Sequence, residues 1–212
     1  MKYEYYGRER ICRSFIDTKI NGKTLNIGAG EMLWIENDLF PGNPNFISSD
    51  INKRNLGKHN LAINKIVANA ENLPLKNNEL SQLIILDVLE HIKNDEKVIR
   101  EIHRVLNSNG KLVICVPNDT LLSFINPIRY AQHERHYTIK QITSLLKKNG
   151  FAIEKVHAGG RILDLVDLYS HLIIKYTTGK KIKLSFLNGL RDKEYSNHIN
   201  NGNEITVLAR KI

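Results

Sequence analysis

The stretch that most narrows the folds open to this chain is Leu25-Asn26-Ile27-Gly28-Ala29-Gly30-Glu31, an apolar run that stops on two glycines and opens into a more polar segment. This is a strand feeding a tight turn. Glycine has no Cβ, so the backbone there reaches positive φ and a ligand can approach the main chain closely, and Gly-x-Gly after a strand suggests a nucleotide-like ligand. The dinucleotide fingerprint needs a third glycine at position 33, which is Leu33, and this argues against NAD.

Three further apolar runs follow at regular intervals. Asn45-Phe46-Ile47-Ser48-Ser49 ends on Asp50, 22 residues beyond Gly28, where an acid can accept hydrogen bonds from ribose hydroxyls. Its other reading is a cap for the Asn52-Lys53-Arg54 turn. Next come Val67-Ala68-Asn69-Ala70-Glu71-Asn72-Leu73-Pro74 and Leu83-Ile84-Ile85-Leu86, the latter running into Asp87-Val88-Leu89-Glu90-His91-Ile92.

These segments, with Ile102 to Leu112 and Val116-Pro117-Asn118, resemble the class I S-adenosylmethionine-dependent methyltransferases, in particular the small-molecule, type 11-like group that includes quinone and sugar methylating enzymes. They cover about residues 22 to 160 in family order and spacing. The resemblance implies a doubly wound α/β fold: a Rossmann-like methyltransferase sheet of seven strands, mostly parallel, with the last antiparallel. It implies S-adenosylmethionine as cofactor, held at Gly28, Ala29 and Gly30, at Asp50 and Ile51 by the ribose, and at Asn69 and Ala70 by the adenine. Asp87, Val88 and Leu89 would wall it with backbone, and Arg8 or Arg10 would pair with its carboxylate in forked geometry. His133 and His136, in the family's His-x-x-His-Tyr-Thr stretch near the substrate pocket, are candidate proton acceptors; His91 has a structural and a catalytic reading. Three positions depart from the family pattern: Met32 replaces a glycine, and Asn26 and Asn69 replace acids.

A length of 212 residues suits one α/β domain, residues 1-212. Within it, residues 1-21 read as a cofactor-covering helix, and 119-137 and 160-202 as substrate-side loops and helix. The opening residues carry no apolar leader, and no apolar stretch reaches about 18 residues, so a soluble, cytoplasmic protein is expected. Cys12 and Cys115 are far apart in sequence without ligand-type spacing and read as buried, reduced thiols. No metal is called for.

Elements follow from periodicity. Glu31 to Asp38 reads as a short helix whose N–H groups face the cofactor. Lys97 to Leu106 reads as a helix stopped by Asn109-Gly110, and Lys111 to Val116 as a buried strand. Thr138 and Gln141 form a capping box for a helix ending at Lys148. Phe151 to Val156 and Glu204 to Lys211 are strands, and Ile162 to Tyr176 is an amphipathic helix that packs on the sheet or covers a pocket, with a membrane-surface or dimer role as its alternative. Thr177 to Gly202 has no clear pattern.

Charge and motifs bound the function. The net charge is +9, and between Arg161 and Lys193 seven cations face three acids, densest at Lys180-Lys181-Ile182-Lys183. A solvated face is the favoured reading, since no aromatics interleave with the cations. Asp87-Val88-Leu89-Glu90 stands where methylases of base amines carry Asn/Asp-Pro-Pro-Tyr, and no P-loop is present, so nucleic acid is disfavoured as a partner and ATP hydrolysis is not expected. The leading expectation is methyl transfer to a small-molecule acceptor, a sugar or glycoconjugate intermediate preferred. A cofactor-binding module without turnover, and an RNA methyltransferase using the basic face, are the alternatives. Oligomeric state stays open.

Overall fold

The computed structural model describes residues 6–30, 34–57, 64–125, 134–178 and 187–212. Its sheet contains β1 (Lys23–Ile27), β2 (Phe46–Asp50), β3 (Asn64–Val67), β4 (Leu80–Leu86), β5 (Leu106–Pro117), β6 (Phe151–Gly159) and β7 (Glu204–Lys211), in the order β3-β2-β1-β4-β5-β7-β6. The first five strands run parallel, and β7 inserts antiparallel between β5 and β6. From β1 the chain builds outward through β2 and β3, then returns on the other side at β4. The crevice of this topological switch therefore opens at the carboxyl ends of β1 and β4.

The central strands read as unbroken apolar runs because both faces of the sheet are covered. On β4, Leu83 and Ile85 join one core with Leu112 and Ile114 of β5, while Ile84 joins a second core with Val113. The first core is covered by α3 (Asp95–Val105) and α4 (Ile139–Lys148), through Val98, Ile99, Ile102, Ile142 and Leu146. The second is covered by α1 (Arg8–Phe15), through Ile11 and Phe15, and by Ile35, Leu39 and Phe40. A short α2 (Lys53–Gly57) follows β2, and α5 (Ile162–Thr178) and α6 (Asn188–Ser196) precede β7.

Several boundaries differ from those the periodicity suggests. Asn94 caps α3 by accepting from the Lys97 N–H at 3.1 Å, so the helix begins earlier than its apolar stripe. It stops at Val105, and Asn109-Gly110 forms a bulge inside β5, with Asn109 at φ +66°, rather than a helix stop. The Thr138–Gln141 capping box forms as read, and β6 extends to Gly159 under cover of α6. After the glycine turn, Ile35–Leu39 forms one wide π-type helical turn; Glu31, Met32 and Leu33 lie outside the described residues.

The stretch without a pattern contains α6, whose Tyr195 is buried in the second core. That ring fills the space beside Gly7 and Gly160, and its hydroxyl donates to Asp164 at 2.8 Å. Arg191 of α6 bridges Asp164 and Asp167 at 3.2 and 3.0 Å, which ties α5 to α6. One side of α5 packs inward through Leu165, but Ile162, Val166, Tyr169, Ile173 and Tyr176 form an exposed apolar stripe, so its amphipathic pattern is not simply a buried face. Lys180 to Lys183 lie outside the described residues. No helix among the described residues is long and apolar enough to cross a membrane.

Ile114 is fully buried at the centre of the first core. Truncating it leaves a cavity that packed neighbours fill only in part, so Ile114→Ala is expected to cost about 2–5 kcal/mol, read as a lower urea midpoint at unchanged slope.

Candidate functional site

At the end of β1 the backbone turns through Gly28 at φ +72° and Gly30 at φ +59°. A Cβ on Gly28 would stand 2.2 Å from Val88 Cγ2, so the close approach of the β1 and β4 ends needs glycine there. The Ala29 N–H donates to Ser49 O at 2.9 Å, and the Gly30 N–H to Asp50 Oδ2 at 2.9 Å. Asp50 Oδ1 accepts from the Asn52 N–H at 2.7 Å, so this side chain does cap the following turn, as its second reading held. The carboxylate thus anchors the glycine turn and the end of β2 together. Its neighbour Ile51 stands 72% exposed at the same edge.

The turn opens on a cleft of about 290 Å³ lined by Gly28, Ala29, Gly30, Asn26, Arg8 and Asp87, among others. Arg8 forms an ion pair with Asp87 at 2.5 Å, and this contact raises its pKa further. Arg10 turns away instead, donating to Asp192 Oδ1 at 2.6 Å and Ser196 Oγ at 2.8 Å of α6. Of the two arginines, Arg8 is the one in the cleft. An incoming carboxylate would compete with Asp87 for it.

Asn26 takes an acid's place, and the structure brings another acid to it. Asn26 Nδ2 donates to Glu36 Oε1 at 3.0 Å, and Ser48 Oγ to the same oxygen at 2.6 Å. Glu36 is 1% exposed, and its Oε2 has no hydrogen-bond partner among the described residues. The wide helical turn after the glycines thereby holds a buried carboxylate against Asn26. Glu36→Ala strips both donors of their acceptor, and a stability loss of about 1–3 kcal/mol is expected by chemical denaturation. An unchanged midpoint would show that the Asn26–Glu36 contact carries nothing.

Asn69 and Ala70 lie on the loop after β3. Asn69 Oδ1 accepts from the Glu71 N–H at 2.9 Å, a turn within the loop, and Ala70 is buried. The loop is held from α3: Glu101 accepts from the Leu73 N–H at 2.7 Å, while Arg104 donates to Leu73 O and Leu75 O at 3.1 and 2.9 Å. Arg104 also pairs with Glu101 at 2.7 Å, lowering the carboxyl's pKa.

Beyond β4, Leu89 is fully buried, so its side chain belongs to the core and only its backbone is available to a ligand. Glu90 is 5% exposed, its Oε2 has no hydrogen-bond partner among the described residues, and burial together with Asp87 pushes its pKa up to about 8. Glu134, also raised chiefly by burial, lies between two imidazoles, with His91 Nε2 at 4.0 Å and His136 Nε2 at 3.9 Å. His136 Nδ1 lies 3.2 Å from Asn118 O, which can only accept, so Nδ1 carries the hydrogen and Nε2 is the basic nitrogen in the neutral ring. His133 lies outside the described residues.

Glu90 has an ordinary value of 4.5 and about 8 when folded, so between these the folded state keeps a proton that the unfolded chain has released. Its contribution lowers stability as pH rises through that window, by up to about 1.4 kcal/mol per pH unit, and levels off above it. Glu204 and Glu134 shift the same way. Glu90→Gln is expected to make the urea midpoint fall less between pH 5 and pH 8; parallel wild-type and variant profiles would place Glu90 at its ordinary value.

Glu36, Glu134, Glu204 and Asp192 were not singled out from sequence. Glu36 alone left a local trace, an acid directly after the apolar Trp34-Ile35 pair.

A seven-stranded sheet with a reversed last strand and a glycine turn at its switch point defines the class I methyltransferase fold. Residues 25–114, from β1 to β5, match a family model described as a methyltransferase domain. A probable S-adenosylmethionine-dependent methyltransferase of Mycobacterium tuberculosis is 33% identical over 89 residues, 40% of this chain and 31% of that protein. An uncharacterised protein of Methanocaldococcus jannaschii is 39% identical over 79 residues, 37% of this chain and 35% of that protein. The chain thus aligns with about a third of the length of each of these curated relatives. Phosphoethanolamine N-methyltransferase 2 of Haemonchus contortus, solved with S-adenosyl-L-methionine, superposes with a TM-score of 0.67 at 20% identity, over 95% of this chain and 51% of that one.

Proposed function

We propose that this chain transfers the methyl group of S-adenosylmethionine to a small-molecule acceptor, with a sugar or glycoconjugate intermediate preferred, and that it does so in the cytoplasm. The observation that carries the reading is the Gly28–Gly30 turn tied to Asp50 at the switch of the sheet. The residues suit the cofactor: a glycine cradle that a Cβ would fill, a cation at Arg8, and a buried Glu36 oxygen with no hydrogen-bond partner among the described residues.

In this reading the residues 1-21 segment covers the methionine end through α1, with Arg8 drawn from Asp87 to the cofactor carboxylate. Asp50 retains lone pairs for the ribose hydroxyls beyond the two N–H groups it binds. Ile51 lies by the ribose, Asn69 and Ala70 flank the adenine, and the backbone of Asp87, Val88 and Leu89 closes the wall. The bound cofactor supplies an electrophilic methyl on a sulfonium sulfur. The protein's part is to align the acceptor with it and exclude water, a proximity effect that can contribute about 7–11 kcal/mol. For a hydroxyl acceptor, His133 or His136 takes the proton, His136 at Nε2. The 119-137 and 160-202 segments form the acceptor side.

Asp50→Ala is expected to weaken S-adenosylhomocysteine binding at least about tenfold by calorimetry, with folding retained by circular dichroism. Equal affinity would remove Asp50 from the site. Product mass analysis after a screen of candidate acceptors separates turnover from binding alone, and full turnover by His136→Asn would remove that side chain from proton transfer.

A further inference from the structure

The two cysteines of the chain, far apart in sequence, meet inside it. Cys12 comes from α1 and Cys115 from near the carboxyl end of β5, and they are 1% and 0% exposed. Both sulfurs reach the same hydroxyl, that of Thr206 of β7, with Cys12 Sγ 3.8 Å from Thr206 Oγ1 and Thr206 Oγ1 donating to Cys115 Sγ at 3.6 Å. Two sulfurs on one hydroxyl lie in the same small region of the core, from which a side-chain rotation can bring them toward the sulfur–sulfur bond of about 2 Å that a disulfide needs. Both are buried, free thiols, as read from the sequence, and the fold adds that they meet at Thr206.

Cys12 also borders the cleft, beside Arg8 and Asp87. Arg8 lies one helical turn before Cys12 on the same face of α1. The hydrogen bond from Cys115, and then the Arg8 charge, lower the Cys12 pKa against the effect of burial, while Cys12 and burial push Cys115 well up. Of the two sulfurs, Cys12 is the one next to the cleft and Cys115 the one behind it. α1 itself spans eight residues, has no side-chain cap at Gly7, and is shorter than a helix that holds alone. Its seat depends on tertiary contacts such as Arg8–Asp87 and Arg10–Asp192.

We propose that Cys12 and Cys115 are a redox pair that hydrogen peroxide converts to a disulfide, clamping α1 onto the end of β5 and slowing ligand exchange in the cleft. The Cys12 thiolate attacks one peroxide oxygen, the O–O bond breaks, and the departing hydroxide takes up a proton, leaving a sulfenic acid on Cys12. The Cys115 sulfur then attacks the Cys12 sulfur; the S–S bond forms, the S–O bond breaks, and the hydroxyl leaves as water with the Cys115 proton. Two thiols lose two electrons and two hydrogens, and the peroxide is reduced to two waters. Reduction by a dithiol reverses the bond. The effect on exchange rests on the cofactor reading above; formation of the bond does not.

The test treats the reduced full chain with stoichiometric hydrogen peroxide, then alkylates it after denaturation. Expected are a mass lower by about 2 Da and a non-reduced peptide pair joining Cys12 to Cys115. Stopped-flow mixing with S-adenosylhomocysteine, followed through the single tryptophan, Trp34, which lines the cleft, is expected to show exchange slowed at least about tenfold and restored by dithiothreitol. In Cys115→Ser, dimedone is expected to trap a sulfenic acid on Cys12. Two alkylatable thiols after peroxide, or over-oxidation of one sulfur without cross-linking, overturns the pair. A cross-link with unchanged exchange overturns the clamp. If the reduced chain ignores S-adenosylhomocysteine, the cofactor reading and the clamp fall together, while the peptide map still decides the bond.

Discussion

The closeness of β4 to the turn after β1 is the constraint on which the rest of the site depends. Val88 occupies the space a Gly28 side chain would need, so the two strand ends meet with backbone rather than side chain between them. From that contact the glycine turn hands an N–H to Asp50, Asp50 accepts another from Asn52, and its carbonyl receives the Ala68 N–H. Three loops from three strands are thus joined by one residue at the point where the strand order reverses, and parallel α/β sheets place ligands at such points.

Around this frame a chain of net charge +9 buries several carboxyl groups. Glu36 is held by Asn26 and Ser48, Glu101 by Arg104, and Glu204 lies within 4.8 Å of Asp87 and Cys115. Burying an acid is costly unless it is hydrogen-bonded, paired or protonated, and these groups answer in different ways. Glu36 and Glu101 find donors, whereas Glu90 and Glu204 shift upward toward the neutral form. Arg8 is the cation placed among them, reaching Asp87 directly and feeling Glu204, Cys115 and Cys12.

Much of this was legible along the chain. The four strand-end motifs, the order of elements, the Thr138–Gln141 cap and both strands nearest the C-terminus depend on neighbours a few residues away, and hydrophobic period and turn chemistry report such neighbours directly. The bulge at Asn109-Gly110 was not legible, because the same two residues stop helices as readily as they kink strands, and only the register between β4 and β5 chooses. α6 left no trace because its pattern answers to distant partners: Tyr195 to Gly7 and Gly160, Asp192 to Arg10, Arg191 to α5.

The sequence by itself determined that a strand ends in a glycine turn, that an acid follows at the next strand's end, and that the chain is built as alternating strands and helices. Each of these is written in residues close together, where sterics and periodicity act without reference to the rest of the fold. Only the tertiary structure decided that Glu36 is held against Asn26, that Arg8 rather than Arg10 enters the cleft, and that Cys12 and Cys115 meet at Thr206. Those are meetings between separate elements, and they exist only once the sheet has set the distances between them.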